Sequence, residues 1–105
     1  MYGLVVKFEL RPGAGTEFDK LVEQTLEGIR GREPGTRLYL CHEVDGEPEA
    51  RIFYELYEDE AAFRKHEDQP HVRRFLTGRE GLLAGRSRVE FLRSGLGKGW
   101  PARTV

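Results

Sequence analysis

RIFYELYEDEAAFRKHEDQPHVRRF, residues Arg51 to Phe75, decides the fold. Its first seven residues are strand-like: Ile52, Tyr54 and Leu56 fall on one face, and Phe53, Glu55 and Tyr57 on the other. A strand that is apolar or aromatic on both faces is covered on both faces. Asp59 is a natural N-cap for a short helix from Glu60 to His66. Pro70, well suited to a first helical turn, restarts a second helix that carries His71 and Arg74. Two of the chain's three histidines therefore sit beside a strand rich in aromatics.

Upstream, Tyr2 to Leu10 alternates as a strand, with Tyr2, Leu4, Val6, Phe8 and Leu10 on one face. Arg11-Pro12-Gly13 breaks it. Thr16 with Asp19 has the spacing of a capping box, and Phe18, Leu21, Val22, Thr25 and Ile29 follow helical spacing. Gly28 and Gly31 weaken the end of that helix. Glu33-Pro34-Gly35-Thr36 has the pattern of a type II turn. Leu38, Leu40, His42 and Val44 share one face of a second strand, with Tyr39 and Cys41 on the other. Asp45-Gly46 signals a hairpin into a third strand expected over Ala50 to Tyr57. Downstream, Val72, Phe75 and Leu76 extend an apolar stripe, and Arg88 to Leu92 forms a last strand with Val89 and Phe91 inward. The order is strand, helix, strand, strand, helix pair, strand. It predicts an α+β, ferredoxin-like βαββαβ domain with an antiparallel sheet over residues 1–93, followed by a Gly-rich tail, 94–105. Helices cover one face of such a sheet, and the cover expected for the other is a second copy, giving a sheet-to-sheet homodimer.

Bulk properties narrow the function. A chain of 105 residues has room for one core. The net charge of −1 argues against a nucleic-acid footprint. The single Cys41 fits a reducing, cytoplasmic setting. Neither a secretory leader nor a membrane-spanning run is expected. No spacing of His, Cys or carboxylates suggests a metal site, and there is no Gly-rich phosphate loop or nucleophile elbow.

Glu33-Pro34-Gly35-Thr36, Phe53-Tyr54-Glu55-Leu56-Tyr57, Asp59-Glu60-Ala61-Ala62-Phe63 with His66, and Pro70-His71 form an ordered set. In that set the chain resembles the antibiotic biosynthesis monooxygenase family, over roughly residues 2 to 93. The resemblance implies a dimeric α+β barrel that oxidises small electron-rich aromatics, quinols or anthrones, with O2. It implies this chemistry without metal, flavin or haem, in an aromatic-lined cleft. Membership fixes fold better than function, since some members have no demonstrated activity and others act on haem. The family often carries Trp where Tyr57 stands, which counts against a haem-degrading role here.

The catalytic candidates are His66, His71 and Arg74. His66 reads either as a general base, histidine being the side chain that changes charge near neutral pH, or as an imidazole favoured by the helix C-terminus. His71 could donate to a substrate oxygen or be a surface residue, and Arg74 could hold an oxyanion or be solvated. Tyr39, Phe53, Tyr54, Tyr57 and Phe63 are candidates to line the substrate cleft, although strand alternation sets Tyr54 and Tyr57 on opposite faces. His42 and Cys41 read as structural. Glu55, a carboxylate in a two-sided strand, is expected to pair with an arginine across the sheet or the dimer. A non-catalytic ligand-binding barrel and an RNA-recognition module are the competing functions. The second lacks both a basic surface and the Gly-aromatic signature.

Overall fold

The computed structural model describes residues 1–99. Strands β1 (Tyr2–Glu9), β2 (Thr36–Val44), β3 (Glu47–Tyr57) and β4 (Arg88–Leu92) form one antiparallel sheet in the order β2-β3-β1-β4. Helices α1 (Gly15–Arg32), α2 (Glu60–Glu67) and α3 (Pro70–Gly78) complete the ferredoxin-like arrangement, with a 3-10 turn at Glu80–Leu82. The expected fold class holds. Ser94 to Gly99 forms neither helix nor strand, and Leu96 there is fully exposed. The rest of the expected tail, including Trp100 and Pro101, lies outside the described residues. Among the described residues no helix is long and apolar enough to cross a membrane.

Alternation sorts the sheet into two faces. On the helix side, Phe53, Glu55 and Tyr57 of β3 sit opposite Val6, Leu4 and Tyr2 of β1. Phe8, Phe18, Phe53 and Phe75 meet there at centroid separations of 5.4 to 6.0 Å, at tilted to edge-on angles that suit aromatic quadrupoles. On the other side, Val5, Leu38, Ile52 and Tyr54 are half-buried, and Leu40 is exposed.

Local details depart from the sequence reading. The strand β3 begins at Glu47, not Ala50, because Asp45-Gly46 closes a tight hairpin with Val44 opposite Glu47. Pro48 is tolerated because β1 pairs with β3 only from Ala50 onward. The capping box at Thr16 does not form: α1 starts after Ala14 with no side-chain cap. Asp19 instead takes two hydrogen bonds from the buried Arg51, at 2.9 and 3.1 Å, tying α1 to β3. Nor is the Glu33–Thr36 turn type II, since Gly35 does not adopt positive φ. The turn's backbone bond, Thr36 N to Glu33 O, is present at 3.1 Å. Glycine is needed at 35 for a different reason: a Cβ there would lie 2.7 Å from the Ala62 Cβ of α2.

Candidate active site

Asp59 fixes the start of α2. Its Oδ1 accepts from the Ala62 backbone N–H at 2.8 Å, as expected of an N-cap. Two turns later His66 points inward and is buried. Its ring packs among Tyr57 (5.1 Å between centroids), Tyr39 (5.4 Å) and Phe63 (6.4 Å). The second histidine is also buried, against α1. At Gly28 any Cβ would fall 2.3 Å from the His71 ring, so the glycine that weakens α1 also makes the slot that admits the imidazole.

Both rings converge on Glu33, which follows the last turn of α1. His66 Nδ1 lies 2.7 Å from Glu33 Oε1, and His71 Nε2 bonds Glu33 Oε2. The Thr36 hydroxyl also donates to Oε1, at 2.7 Å. Burial alone would raise the Glu33 carboxyl, but the bonds from His66, Thr36 and His71 outweigh it and hold the group below its ordinary value. An ionised carboxylate only accepts, so each ring donates to it. A neutral His66 then carries its proton on Nδ1 and keeps the Nε2 lone pair. A neutral His71 carries its proton on Nε2.

Nε2 of His66 faces Glu55, 3.9 Å from Oε1. Among the described residues no arginine pairs with Glu55, which accepts from the Tyr57 hydroxyl; Arg51, on the same strand, is bonded to Asp19. Burial pushes the Glu55 carboxyl up, against the opposing effects of Tyr57 and His66. Burial also drives both the Tyr39 and Tyr57 phenols up, which makes them donors rather than bases.

Tyr39, Glu55 and His66 border a cavity of about 190 Å³. Its floor is Leu4, Val6, Phe53 and Glu55. Tyr39, Phe63, His66 and Phe75 wall it, and Val89 and Phe91 of β4 stand on its border. Tyr39, Phe53, Phe63 and His66 thus line one cavity. Tyr57 lies behind His66 rather than on the lining, and reaches the cavity through Glu55. Three further expectations need correction. Tyr54 is on the opposite face of β3, paired with Val5 and Leu40. His71 is outside the cavity, in its slot against α1. Arg74 is exposed; the arginine on the lining is Arg79, stacked over Phe8 (4.8 Å) and Phe75 (5.6 Å). Burial pulls the Arg79 guanidinium below its ordinary value, and no carboxylate of the described residues forms an ion pair with it.

A family model described as antibiotic biosynthesis monooxygenase matches residues 1–78, three quarters of the chain and every residue of the Glu33–His66–His71–Glu55 group. The chain belongs to the antibiotic biosynthesis monooxygenase family. Solved structures agree on the fold. A Caulobacter crescentus chain bearing the same family designation superposes with a TM-score of 0.85 at 21% identity, covering 90% of each chain. One from Nitrosomonas europaea gives 0.82 at 17%, covering 90% of this chain and 98% of that one. Rv0793 from Mycobacterium tuberculosis gives 0.81 at 22%, covering 94% and 98%. No curated protein matches the sequence.

Two other hollows lie near the site. One of about 270 Å³ opens behind α2 and is lined by Glu33, Gly35, Ala62 and Lys65. His66 is the one described residue that borders both it and the aromatic cavity. The larger, about 820 Å³, is an open groove between α1 and β2. No histidine lines it, and its two buried charges are already satisfied, Arg51 by Asp19 and Glu33 by His66, Thr36 and His71. The sequence marks Glu33 only as part of a turn, and Arg79 is not among its candidates. It marks Glu55 as anomalous, and among the described residues the group that bonds it is Tyr57.

Proposed function

We propose that this chain is a cofactor-independent monooxygenase that oxidises a small, single-ring, electron-rich aromatic, quinol-like, with O2. The observation that carries this reading is His66. Its Nδ1 is committed to Glu33, and its other nitrogen faces a cavity walled by aromatic rings. A base held in one tautomer by a carboxylate is suited to take a phenolic proton. The resulting anion is rich enough in electrons to reduce O2 itself, so the chemistry calls for no metal, flavin or haem. Arg79, partly desolvated and in no ion pair among the described residues, supplies the positive charge that anion needs. The aromatic and aliphatic walls keep water from quenching it.

Size favours the smaller substrate class. A cavity of roughly 150 Å³ holds benzene, so about 190 Å³ suits one substituted ring. A three-ring anthrone would require the walls to part. The half-exposed apolar face formed by Val5, Leu38, Leu40, Ile52 and Tyr54 supports a second element of the reading, a homodimer packed sheet to sheet. A reducing, cytoplasmic setting is the third, resting on the lone Cys41, whose thiol burial pushes up to about 12. Sedimentation addresses the dimer.

The activity is tested by following oxygen uptake with single-ring quinols. Wild-type protein should consume O2 well above the uncatalysed rate, and His66→Ala should lose ~10²-fold or more of that acceleration. Tight binding of quinols with no uptake would instead make this a ligand-binding barrel.

A further inference from the structure

The aromatic cavity holds a second titratable group that deprotonating a phenol does not use. Glu55 lines the cavity beside His66. One of its oxygens, Oε1, is occupied by the Tyr57 hydroxyl, and the same oxygen lies 3.9 Å from His66 Nε2. The other, Oε2, has no hydrogen bond among the described residues. Yet none of their buried side-chain polar atoms is left without a partner, so Oε2 is at the cavity surface. Tyr57 can donate to Oε1 whether or not the carboxyl is protonated. A protonated Glu55 therefore carries its hydrogen on Oε2, aimed into the cavity. Burial among Leu4, Phe53 and Tyr39 favours that neutral form.

We propose that Glu55 is the general acid that breaks the O–O bond of the oxygenated intermediate, working opposite His66. This rests on the monooxygenase reading above. In that reaction His66 Nε2 takes the phenolic proton. The phenolate gives one electron to O2, and the two radicals join at a ring carbon that still bears hydrogen, forming a C–O bond and a peroxide anion. The proton on Nε2 returns to give the hydroperoxide. His66 Nε2 then takes the ring C–H proton, and the C–H electron pair becomes the second bond of a new C=O. The O–O bond breaks, and the distal oxygen leaves with its electron pair and takes the Glu55 proton to become water. Transfer from His66 Nε2–H to the Glu55 carboxylate resets both groups. Quinol and O2 become hydroxyquinone and water, a four-electron reduction in which each group ends as it began. Without the acid, the hydroperoxide loses hydroperoxide ion instead, and the products are the simple quinone and H2O2.

The test is Glu55→Gln, which keeps an acceptor for Tyr57 but has no acidic proton. Reaction of a single-ring quinol with 18O2 should give wild-type product with one labelled oxygen and little H2O2. In E55Q, oxygen uptake should persist, hydroperoxide breakdown should slow ~10²-fold, and most product should be unlabelled quinone with an equivalent of H2O2. Labelled hydroxyquinone from E55Q in the wild-type proportion would overturn the assignment. So would loss of oxygen uptake itself in a folded variant, since that places Glu55 before the O–O step. A wild-type protein that takes up no oxygen would fail the monooxygenase reading first, and with it this one. Should E55Q not fold, infrared spectra of the wild type and Tyr57→Phe decide. A protonated-carboxyl band at neutral pH that shifts when the phenol is removed supports Glu55 as the acid, and absence of the band in both refutes it.

Discussion

The end of α2 and the start of α3 offer the same side chain to the same carboxylate and yet build different things. Both histidines are buried, and each bonds one oxygen of Glu33. His66 uses Nδ1 and turns its free nitrogen toward Glu55 and a cavity of about 190 Å³. His71 uses Nε2, and the rest of its ring fills the slot left by Gly28. One ring is placed to exchange protons with a guest, and the other to fasten α3 to α1. What separates them is the nitrogen each spends on Glu33, not burial or charge.

Alanine substitutions should pull the pair apart. His66→Ala should cost ~10²- to 10⁴-fold in turnover with a modest change in melting temperature. For His71→Ala the order reverses. It leaves Glu33 Oε2 short of a donor and empties the slot, for a loss of about 2–4 kcal/mol in unfolding free energy, with turnover within roughly tenfold of wild type. Urea denaturation beside oxygen-uptake rates checks both. Equal loss of activity in the two variants would break the comparison.

A smaller effect is expected from the other side of the slot. Gly28→Ala places a methyl group against the His71 ring, and overpacking of this kind costs about 1–3 kcal/mol. Combined with His71→Ala, it should cost much less than the sum, because the clash disappears with the ring. A double-mutant cycle in thermal unfolding reads this directly.

The smallest effect concerns pH. The Glu33 carboxyl is held below its ordinary value in the fold by His66, Thr36 and His71. Its bonds therefore add stability that is fully present above the unfolded carboxylate value, near 4.5, and is lost as pH falls through the folded one. Glu33→Gln should remove that part of the acid sensitivity, flattening stability against pH below about 4.5. An unchanged slope would mean the bridge carries no linkage.

The sheet was legible because alternation is local: each residue of β3 shows its face from its neighbours two away. The centre of the site was not, because its contacts are distant. Glu33 meets His66 across 33 residues and His71 across 38, and no periodicity carries that information. Arg79 could have been found. It is the C-cap of α3, four residues past Phe75 and seven past Val72, in line with the helix's buried stripe, whereas Arg74 falls between those positions and faces out. Glu55 was conspicuous in the sequence as a carboxylate in a strand without a polar face. Only the structure pairs it with Tyr57, two residues on along the same face of β3. Likewise the turn at Gly35 looked like a backbone requirement and is a packing one, set by Ala62.

The most direct test of the central claim is the protonation pattern of the two imidazoles, read by long-range 1H–15N correlation on uniformly labelled protein at a pH where both rings are neutral. His66 should carry its proton on Nδ1 and His71 on Nε2, and a non-oxidisable phenol should perturb Nε2 of His66 while leaving His71 unmoved. A His66 ring protonated on Nε2 alone would have no lone pair to offer the cavity, and would contradict the account.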